Sequence, residues 1–316
     1  MLGVSPDKDI ELEEVGSSYY AKQLNFVSIQ TQQDFLNLVE NAINNNNGKL
    51  EGYYYIETDV DLTGYGTWTP VALDNCILDF GGEAGEDIHK ISNLLLGKNI
   101  SGIMGLFTTM QNSSVLNLKI EDVQVSANAT YFGALVGKVI KTNESSTISN
   151  VSATYLTSIT DRTIDYFGGL VAYADSVIIE NCSVGGVNVV NGKIKNAGGL
   201  VGKLASGTIA GAEIDILNIS GTDTVGGLVA INNGTIKAYN YTEGDSTEEQ
   251  TKLNTGNVKI SYDGSNIAKV GGVVADNSGS TADGEFTVSI KVKSGLTTTI
   301  KTKATGVNNI QLLDVE

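Results

Sequence analysis

A glycine-rich signature that recurs along the chain constrains the fold more than any other sequence feature. It reads GGLVA at residues 168–172 and GGLVG at 198–202, and close variants occur elsewhere. The six copies occupy residues 104–107, 133–137, 168–172, 198–202, 226–230 and 271–275. A strand-rich repeat of about 30 residues without helical periodicity is typical of a solenoid, in which stacked units share one hydrophobic core.

The glycine pairs predict a sharp corner in each repeat, where a positive φ or a close backbone approach excludes a Cβ atom. The aliphatic residue that follows each corner is expected to point inward and to stack on its equivalents about 4.8 Å apart. Burial of each such side chain contributes roughly 2 kcal/mol before the entropy cost. We call these residues the aliphatic ladder: Leu106, Leu135, Leu170, Leu200, Leu228 and Val273. The fold class predicted is all-β, a parallel β-helix.

The longest interval between signatures carries a polar insertion at residues 239–256, which we expect to leave the solenoid as a loop. Because stacking fixes the shape of the regular coils, a partner is expected to dock where the repeat is broken. Tyrosines among polar side chains suit both glycan stacking and protein recognition. A tolerated surface insertion without a binding role is the alternative. The candidate docking residues are Tyr239, Tyr241, Glu243, Asp245 and Glu248.

The N-terminal part of the chain differs from the repeats. Its first 24 residues are acidic and lack a clear periodicity, so we expect a leader or linker. One helix is predicted at about 31–45, because Thr31 and Asp34 form a near capping box before apolar residues at helical spacing. The predicted divisions are a leader at 1–24, an α/β cap at 25–93, the β-helix at 94–295 and a closing strand segment at 296–316.

Charge and residue counts exclude several classes of function. The sequence carries 20 Lys and Arg against 36 Asp and Glu, a formal net charge of −16, which disfavours nucleic acid or an anionic membrane as partner. A single histidine excludes two-histidine zinc sites and HExxH metallopeptidase centres. No apolar run reaches the roughly 20 residues of a membrane helix. No signal-peptide core follows Met1, so we expect that an export signal has been removed.

A few residues suggest chemistry, and each also has a simpler structural explanation. His89 has no second ligand type beside it, which favours a structural or exposed position. Asp59 and Asp61 share one face of a strand and could ligate Ca²⁺ or form a catalytic carboxylate pair, although no cleft is marked there. Arg162, the only arginine, is interpreted as half of a surface ion pair, and Cys182 as a small buried residue. We therefore predict no catalytic residue, no metal site and no cofactor, and calcium binding by the two aspartates stays open.

The repeated GGLVG signature resembles the GLUG motif of bacterial surface proteins. The preceding segment is similar to the region that usually precedes such repeats, at residues 54–62 (YYIETDVDL), 68–71 (WTPV) and 89–94 (HKISNL), with an altered glycine turn near 79–82. The likeness covers about residues 26–275. It implies a right-handed parallel β-helix with an N-terminal α/β capping element, exported to the cell surface, and it carries over no catalytic residue. Such repeats occur in adhesin-like proteins and beside the catalytic region of immunoglobulin-A-cleaving metallopeptidases.

Together these features favour a non-catalytic bacterial protein, secreted or lipid-anchored at the cell surface, that acts in adhesion, binding or display. The partner we expect is an unidentified host protein or a glycan, and we do not expect an enzyme. Two alternatives stay open. One is a polysaccharide-active β-helix enzyme, either lyase-like or glycosidase-like. The other is a non-catalytic module of a larger surface peptidase.

Overall fold

The fold was analysed in a computed structural model of the 316-residue chain. The structure describes residues 10–15, 18–23, 26–81, 88–98, 100–190, 193–237, 252–253, 258–262, 270–271, 273–281, 287–290 and 309–312. Over these ranges it is a parallel β-solenoid of about seven turns with little helix, which confirms the predicted all-β class. No helix within them is long and apolar enough to cross a membrane.

The acidic leader contains a regular antiparallel hairpin where we expected an irregular linker. Its strands are β1 (Ile10–Val15) and β2 (Ser18–Gln23), which pair along their whole length. Ile10 and Leu12 alternate with glutamates in the first strand, and the second contains two tyrosines. Alternation and aromatic residues both favour strands, and this local preference explains the difference.

The solenoid begins with a strand–helix–strand unit. β3 (Val27–Ile29) and β4 (Lys49–Ile56) pair in parallel, and α1 (Gln32–Asn45) connects them. Thr31 caps the helix by accepting a hydrogen bond from the Asp34 backbone N–H at 3.2 Å. The buried face of the helix includes Phe35, whose ring meets that of Phe80 edge-on at 6.0 Å. The apolar stripe of the helix is therefore buried against the first strands of the solenoid.

Each coil contributes strands to three parallel sheets, in which equivalent strands of successive coils pair with one another. Sheet 1 contains Val71–Asp79, Phe107–Gln111, Val136–Val139, Val171–Ala174, Val201–Leu204, Val229–Asn232 and Val274–Asn277. Sheet 2 contains Val60–Asp61, Lys90–Ser92, Leu95–Leu96, Ser114–Val125, Ser146–Tyr155, Ile159–Thr160, Val177–Glu180, Ser183–Val190, Gly207–Ala210, Glu213–Gly221, Thr235–Ile236, Lys252–Leu253, Val258–Tyr262 and Ser280–Thr281. Sheet 3 contains Ile103–Met104, Ala129–Gly133, Thr163–Gly168, Lys193–Gly198, Thr224–Gly226 and Val270–Gly271. A separate parallel pair joins Thr287–Ile290 and Asn309–Leu312.

The aliphatic ladder lies in the core, and its backbone joins consecutive coils. Leu106, Leu135, Leu170, Leu200, Leu228 and Val273 are all fully buried. The Leu170 N–H donates to the Leu200 carbonyl at 3.0 Å, and Leu200 donates to Leu228 at 2.9 Å. The ladder thus combines apolar burial with coil-to-coil hydrogen bonding.

The glycine corners owe their composition to close backbone approach. A Cβ on Gly168 would meet the carbonyl oxygen of Val171, and one on Gly198 would meet that of Val201. Neither glycine has a φ in the left-handed region. Of the two explanations that the sequence left open for these pairs, the structure selects the steric one.

A second corner, within sheet 2, does use left-handed residues. Asn117, Asn150, Asn181 and Gly211 occupy equivalent positions in four successive coils, with φ of 57°, 55°, 51° and 64°. The Asn150 side-chain amide donates to the Asn117 side-chain oxygen at 2.8 Å. Asparagine tolerates this conformation better than most residues, and its amide can bond to an identical neighbour in the next coil. The asparagine column was not predicted from the sequence.

Replacing a ladder residue should leave a cavity in the stacked core. We expect Leu200→Ala to lower the free energy of unfolding by about 2–5 kcal/mol, measured by urea denaturation. Leu156→Ala is the matched control, because Leu156 is 58% exposed. Equal effects of the two substitutions would contradict the assignment of Leu200 to the core.

Candidate functional site

Asp59 and Asp61 are exposed on one side of a short strand, with Val60 buried between them. Asp59 Oδ1 accepts a hydrogen bond from the Lys90 backbone N–H at 3.1 Å and lies 3.2 Å from His89 Nδ1. His89 therefore lies where the chain enters the strand Lys90–Ser92 and is held there by Asp59. This contact gives the single histidine a structural role.

Asp61 stabilises the turn that follows it. Its Oδ1 accepts hydrogen bonds from the Thr63 hydroxyl at 2.7 Å, the Thr63 N–H at 2.9 Å and the Asn93 amide at 2.8 Å. These hydrogen bonds hold the pKa of Asp61 below its usual value, and the bond from the Thr63 hydroxyl is the largest cause. Within the described part of the chain, no group of three His, Cys, Asp or Glu side chains could hold a metal ion. The absence of a metal site at this aspartate pair stays a prediction.

A shallow groove of about 330 Å³ opens next to Asp61. Polar side chains of Thr63, Asn93 and Gln124 line it together with Leu62, Gly64, Gly66 and Leu95. Two of its polar groups already bond to Asp61, as described above. The groove therefore offers few free polar groups to a ligand.

Arg162 and the two cysteines give no reactive site. Arg162 is half-buried, its Nε has no hydrogen-bond partner, and it forms no ion pair with another described residue. The expected surface pair of Arg162 with the neighbouring aspartate is thus not seen. Cys76 and Cys182 are free and buried, and burial raises the pKa of each thiol to about 12. Thiols with such a pKa are poor nucleophiles at neutral pH.

Five half-buried side chains from two neighbouring sheets form a cluster that we call the Tyr–Lys surface: Tyr131, Tyr166, Tyr173, Lys138 and Lys203. Sheet 3 supplies Tyr131 and Tyr166, which are register partners in adjacent coils. Sheet 1 supplies Lys138, Tyr173 and Lys203, which are register partners in three successive coils. In-register stacking therefore brings together residues that lie 30 or more positions apart in the sequence.

The rings and ammonium groups of the Tyr–Lys surface are in mutual contact. The rings of Tyr131 and Tyr166 are nearly parallel with centroids 5.3 Å apart, and the ring of Tyr173 meets Tyr131 edge-on at 5.9 Å. Lys138 Nζ lies 5.5 Å from the Tyr131 centroid and 5.2 Å from that of Tyr173, and Lys203 Nζ lies 5.6 Å from the Tyr173 centroid. Such cation–π contacts contribute about 0.5–1 kcal/mol each at exposed positions. They hold the ammonium groups at the tyrosines.

The two lysines of the Tyr–Lys surface are not paired with a carboxylate of any described residue, although two aspartates lie near enough to act on its tyrosines. Asp165 forms an ion pair of 2.6 Å with Lys195, and Asp175 accepts a hydrogen bond of 2.6 Å from a serine hydroxyl of the next coil. Neither Lys138 nor Lys203 forms an ion pair with any residue that the structure describes. Partial burial is the main cause of a raised pKa at Tyr131 and Tyr173, so both hydroxyls stay protonated at neutral pH. The negative charges of Asp165 and Asp175 help to raise the pKa of Tyr131 and of Tyr173, respectively.

Sequence reasoning missed the Tyr–Lys surface, although a signal was present. Tyr131 and Tyr166 each precede a Phe-Gly pair, while Lys138, Tyr173 and Lys203 each follow the small residue that ends a signature. Writing the coils beneath one another would have aligned these positions. The docking residues that the sequence did suggest, Tyr239, Tyr241, Glu243, Asp245 and Glu248, lie outside the described residues.

Comparison with solved structures finds the same fold in two proteins that are named as immunoglobulin A1 proteases, one of them provisionally. A Bacteroides ovatus protein, provisionally named an immunoglobulin A1 protease, superimposes with a TM-score of 0.56 at 15% identity, covering 91% of this chain and 84% of its own. A protein named IgA1 protease superimposes with a TM-score of 0.51 at 18% identity. The match covers 96% of this chain but only 23% of that protein. At such identities the comparisons establish a shared fold. No family model and no curated protein matches the sequence.

The comparison corrects one expectation. We expected that the chain is not an enzyme, and this is contradicted because both structural neighbours are named as peptidases. The expectation rested on a search for catalytic motifs within 316 residues. A solenoid that matches about a quarter of a longer peptidase shows why such a search is insufficient, since one chain can share its fold with part of an enzyme.

The most buried carboxylate among the described residues, Asp74, makes the stability of the protein depend on pH. Asp74 is 6% exposed and accepts hydrogen bonds from Gln111 at 2.7 Å and from the Lys49 ammonium at 2.6 Å. The Gln111 bond is the largest cause of a pKa below the usual 3.8, and Lys49 is the next. Because the folded state holds the proton less tightly, this stabilisation is complete above the unfolded pKa and is lost as pH falls through the folded pKa.

We therefore expect Asp74→Asn to destabilise the protein at neutral pH, and the loss to shrink below about pH 4. Urea unfolding of wild type and variant between about pH 3 and pH 7 measures this difference. Glu144→Gln removes an exposed carboxylate and is the control. A difference between wild type and Asp74→Asn that does not change with pH would contradict the charged state of Asp74.

Proposed function

We propose that the chain is a β-solenoid of a bacterial cell-surface peptidase related to the two immunoglobulin A1 protease neighbours, and that it holds the protein substrate. The observation that carries the proposal is the extent of the structural match, which spans 91% and 96% of this chain. The GLUG-like signatures support it, because such repeats also occur beside the catalytic region of immunoglobulin-A-cleaving enzymes. Surface location and export are part of the proposal.

The Tyr–Lys surface is the part of the solenoid that we assign to substrate binding. Tyrosines combine a large apolar area with a hydroxyl, and they are enriched among residues that dominate the energy of protein interfaces. Because the surface rests on backbone that is hydrogen-bonded from coil to coil, little conformational entropy is lost when a partner binds.

Binding to immunoglobulin A1 tests the proposal directly. The purified chain is immobilised, immunoglobulin A1 is titrated over it in surface plasmon resonance, and immunoglobulin G serves as the control ligand. We expect saturable binding of immunoglobulin A1 that the double substitution Lys138→Ala/Lys203→Ala weakens about tenfold, since two charge-assisted contacts are lost. The matched control is Lys119→Ala, an exposed lysine on sheet 2.

Equal binding of both immunoglobulins, or no binding at about 100 μM, would contradict the proposal. Gel electrophoresis of the same mixtures shows whether the antibody is cut. New fragments would place a peptidase centre in the chain itself and would support the relationship with the proteases more strongly than binding alone.

A further inference from the structure

The Tyr–Lys surface presents hydrogen-bond donors that the protein does not satisfy. Among the described residues, none accepts a hydrogen bond from the hydroxyls of Tyr131, Tyr166 and Tyr173 or from the ammonium groups of Lys138 and Lys203. Three phenol donors and two positive charges are thus gathered on one patch of a chain whose formal net charge is −16. A ligand that fits must bring several oxygen acceptors and at least one negative charge.

The spacing of the charges defines the ligand further. One coil, which carries Tyr173, lies between the coil of Lys138 and that of Lys203. The strands of the two lysines are therefore about 10 Å apart, which is twice the spacing of paired strands. Each ammonium lies at a tyrosine ring. Stacking and the lysines already occupy the ring faces of Tyr131 and Tyr173, so the ligand must offer acidic groups beside polar groups that reach the phenol hydroxyls.

We propose that the Tyr–Lys surface binds a carbohydrate that carries carboxylate groups. Its many hydroxyls accept from the phenols, and its carboxylates contact Lys138 and Lys203. A peptide rich in Asp and Glu brings the charge but offers fewer acceptors to the three phenols. Nucleic acid and other long polyanions are disfavoured by the overall charge, which leaves a short acidic saccharide as the fitting ligand.

This inference rests on the proposed function, because it assigns a ligand class to the same surface. It can nevertheless be tested without an antibody. Free saccharides report on the surface itself, and immunoglobulin A1 reports on the peptidase relationship, so that either can fail while the other holds.

Isothermal titration calorimetry of the whole chain provides the experiment. The acidic probes are a galacturonic acid tetrasaccharide and sialyllactose, and their neutral counterparts are the methyl-esterified tetrasaccharide and lactose. Hexaglutamate controls for charge alone. We expect saturable binding of at least one acidic probe, with the association constant lowered about tenfold by Lys138→Ala/Lys203→Ala and by Tyr166→Ala, and unchanged by Lys119→Ala.

Thermal unfolding of every variant establishes that it is folded. The double substitution Lys138→Gln/Lys203→Gln repeats the test with side chains longer than alanine, so that chiefly the positive charges are removed. The inference is overturned if neither acidic probe binds, if the neutral counterpart of a bound probe binds equally well, or if hexaglutamate binds as tightly. Loss of saccharide binding with retained immunoglobulin A1 binding would reject this inference and leave the proposed function standing. The reverse result would reject the proposed function alone.

Discussion

The structure depends on one interaction, the hydrogen bonding of each coil to the next in strict register. Val136, Val171, Val201 and Val229 are successive register partners in sheet 1, and the backbone of Leu200 bonds to Leu170 on one side and to Leu228 on the other. Most backbone groups of a central coil are thus satisfied by its neighbours, as burial requires. One coil cannot shift by a residue without turning its inward side chains to the outside.

The register also explains why the corners repeat. Once the coils are stacked, a residue that suits a corner in one coil must suit the same corner in the next. At one corner a carbonyl oxygen lies so close to the glycine that a Cβ atom would clash with it. At the other corner Asn117, Asn150 and Asn181 all have a left-handed φ. A chain with two such corners per coil has little freedom in its path, and this accounts for the recurrence of the signature.

The inward side of this architecture could be predicted from the sequence, because small residues followed by an aliphatic residue recur in every copy. The asparagine column was missed, since each asparagine stands in a different local sequence, as in LNL at 116–118 and ENC at 180–182. The Tyr–Lys surface was missed for a related reason. Its members differ from coil to coil, and Lys138, Tyr173 and Lys203 form one row only when the signatures are aligned beneath one another. The expectation that the chain is not an enzyme is contradicted by the names of its structural neighbours, and a likeness of fold at 15% and 18% identity could not be read from the sequence.

Inward and outward positions of a stacked coil differ in how far they tolerate substitution. An inward residue must match its neighbours in volume, because a cavity or a clash in a stacked core costs several kcal/mol. An outward residue such as Tyr173 has no such constraint, and it can differ from Lys138 below it and Lys203 above it. Yet all three are held at the fixed spacing that the core sets. Changes at outward positions can therefore alter what the surface binds without loss of stability, while the buried ladder preserves the geometry on which binding depends.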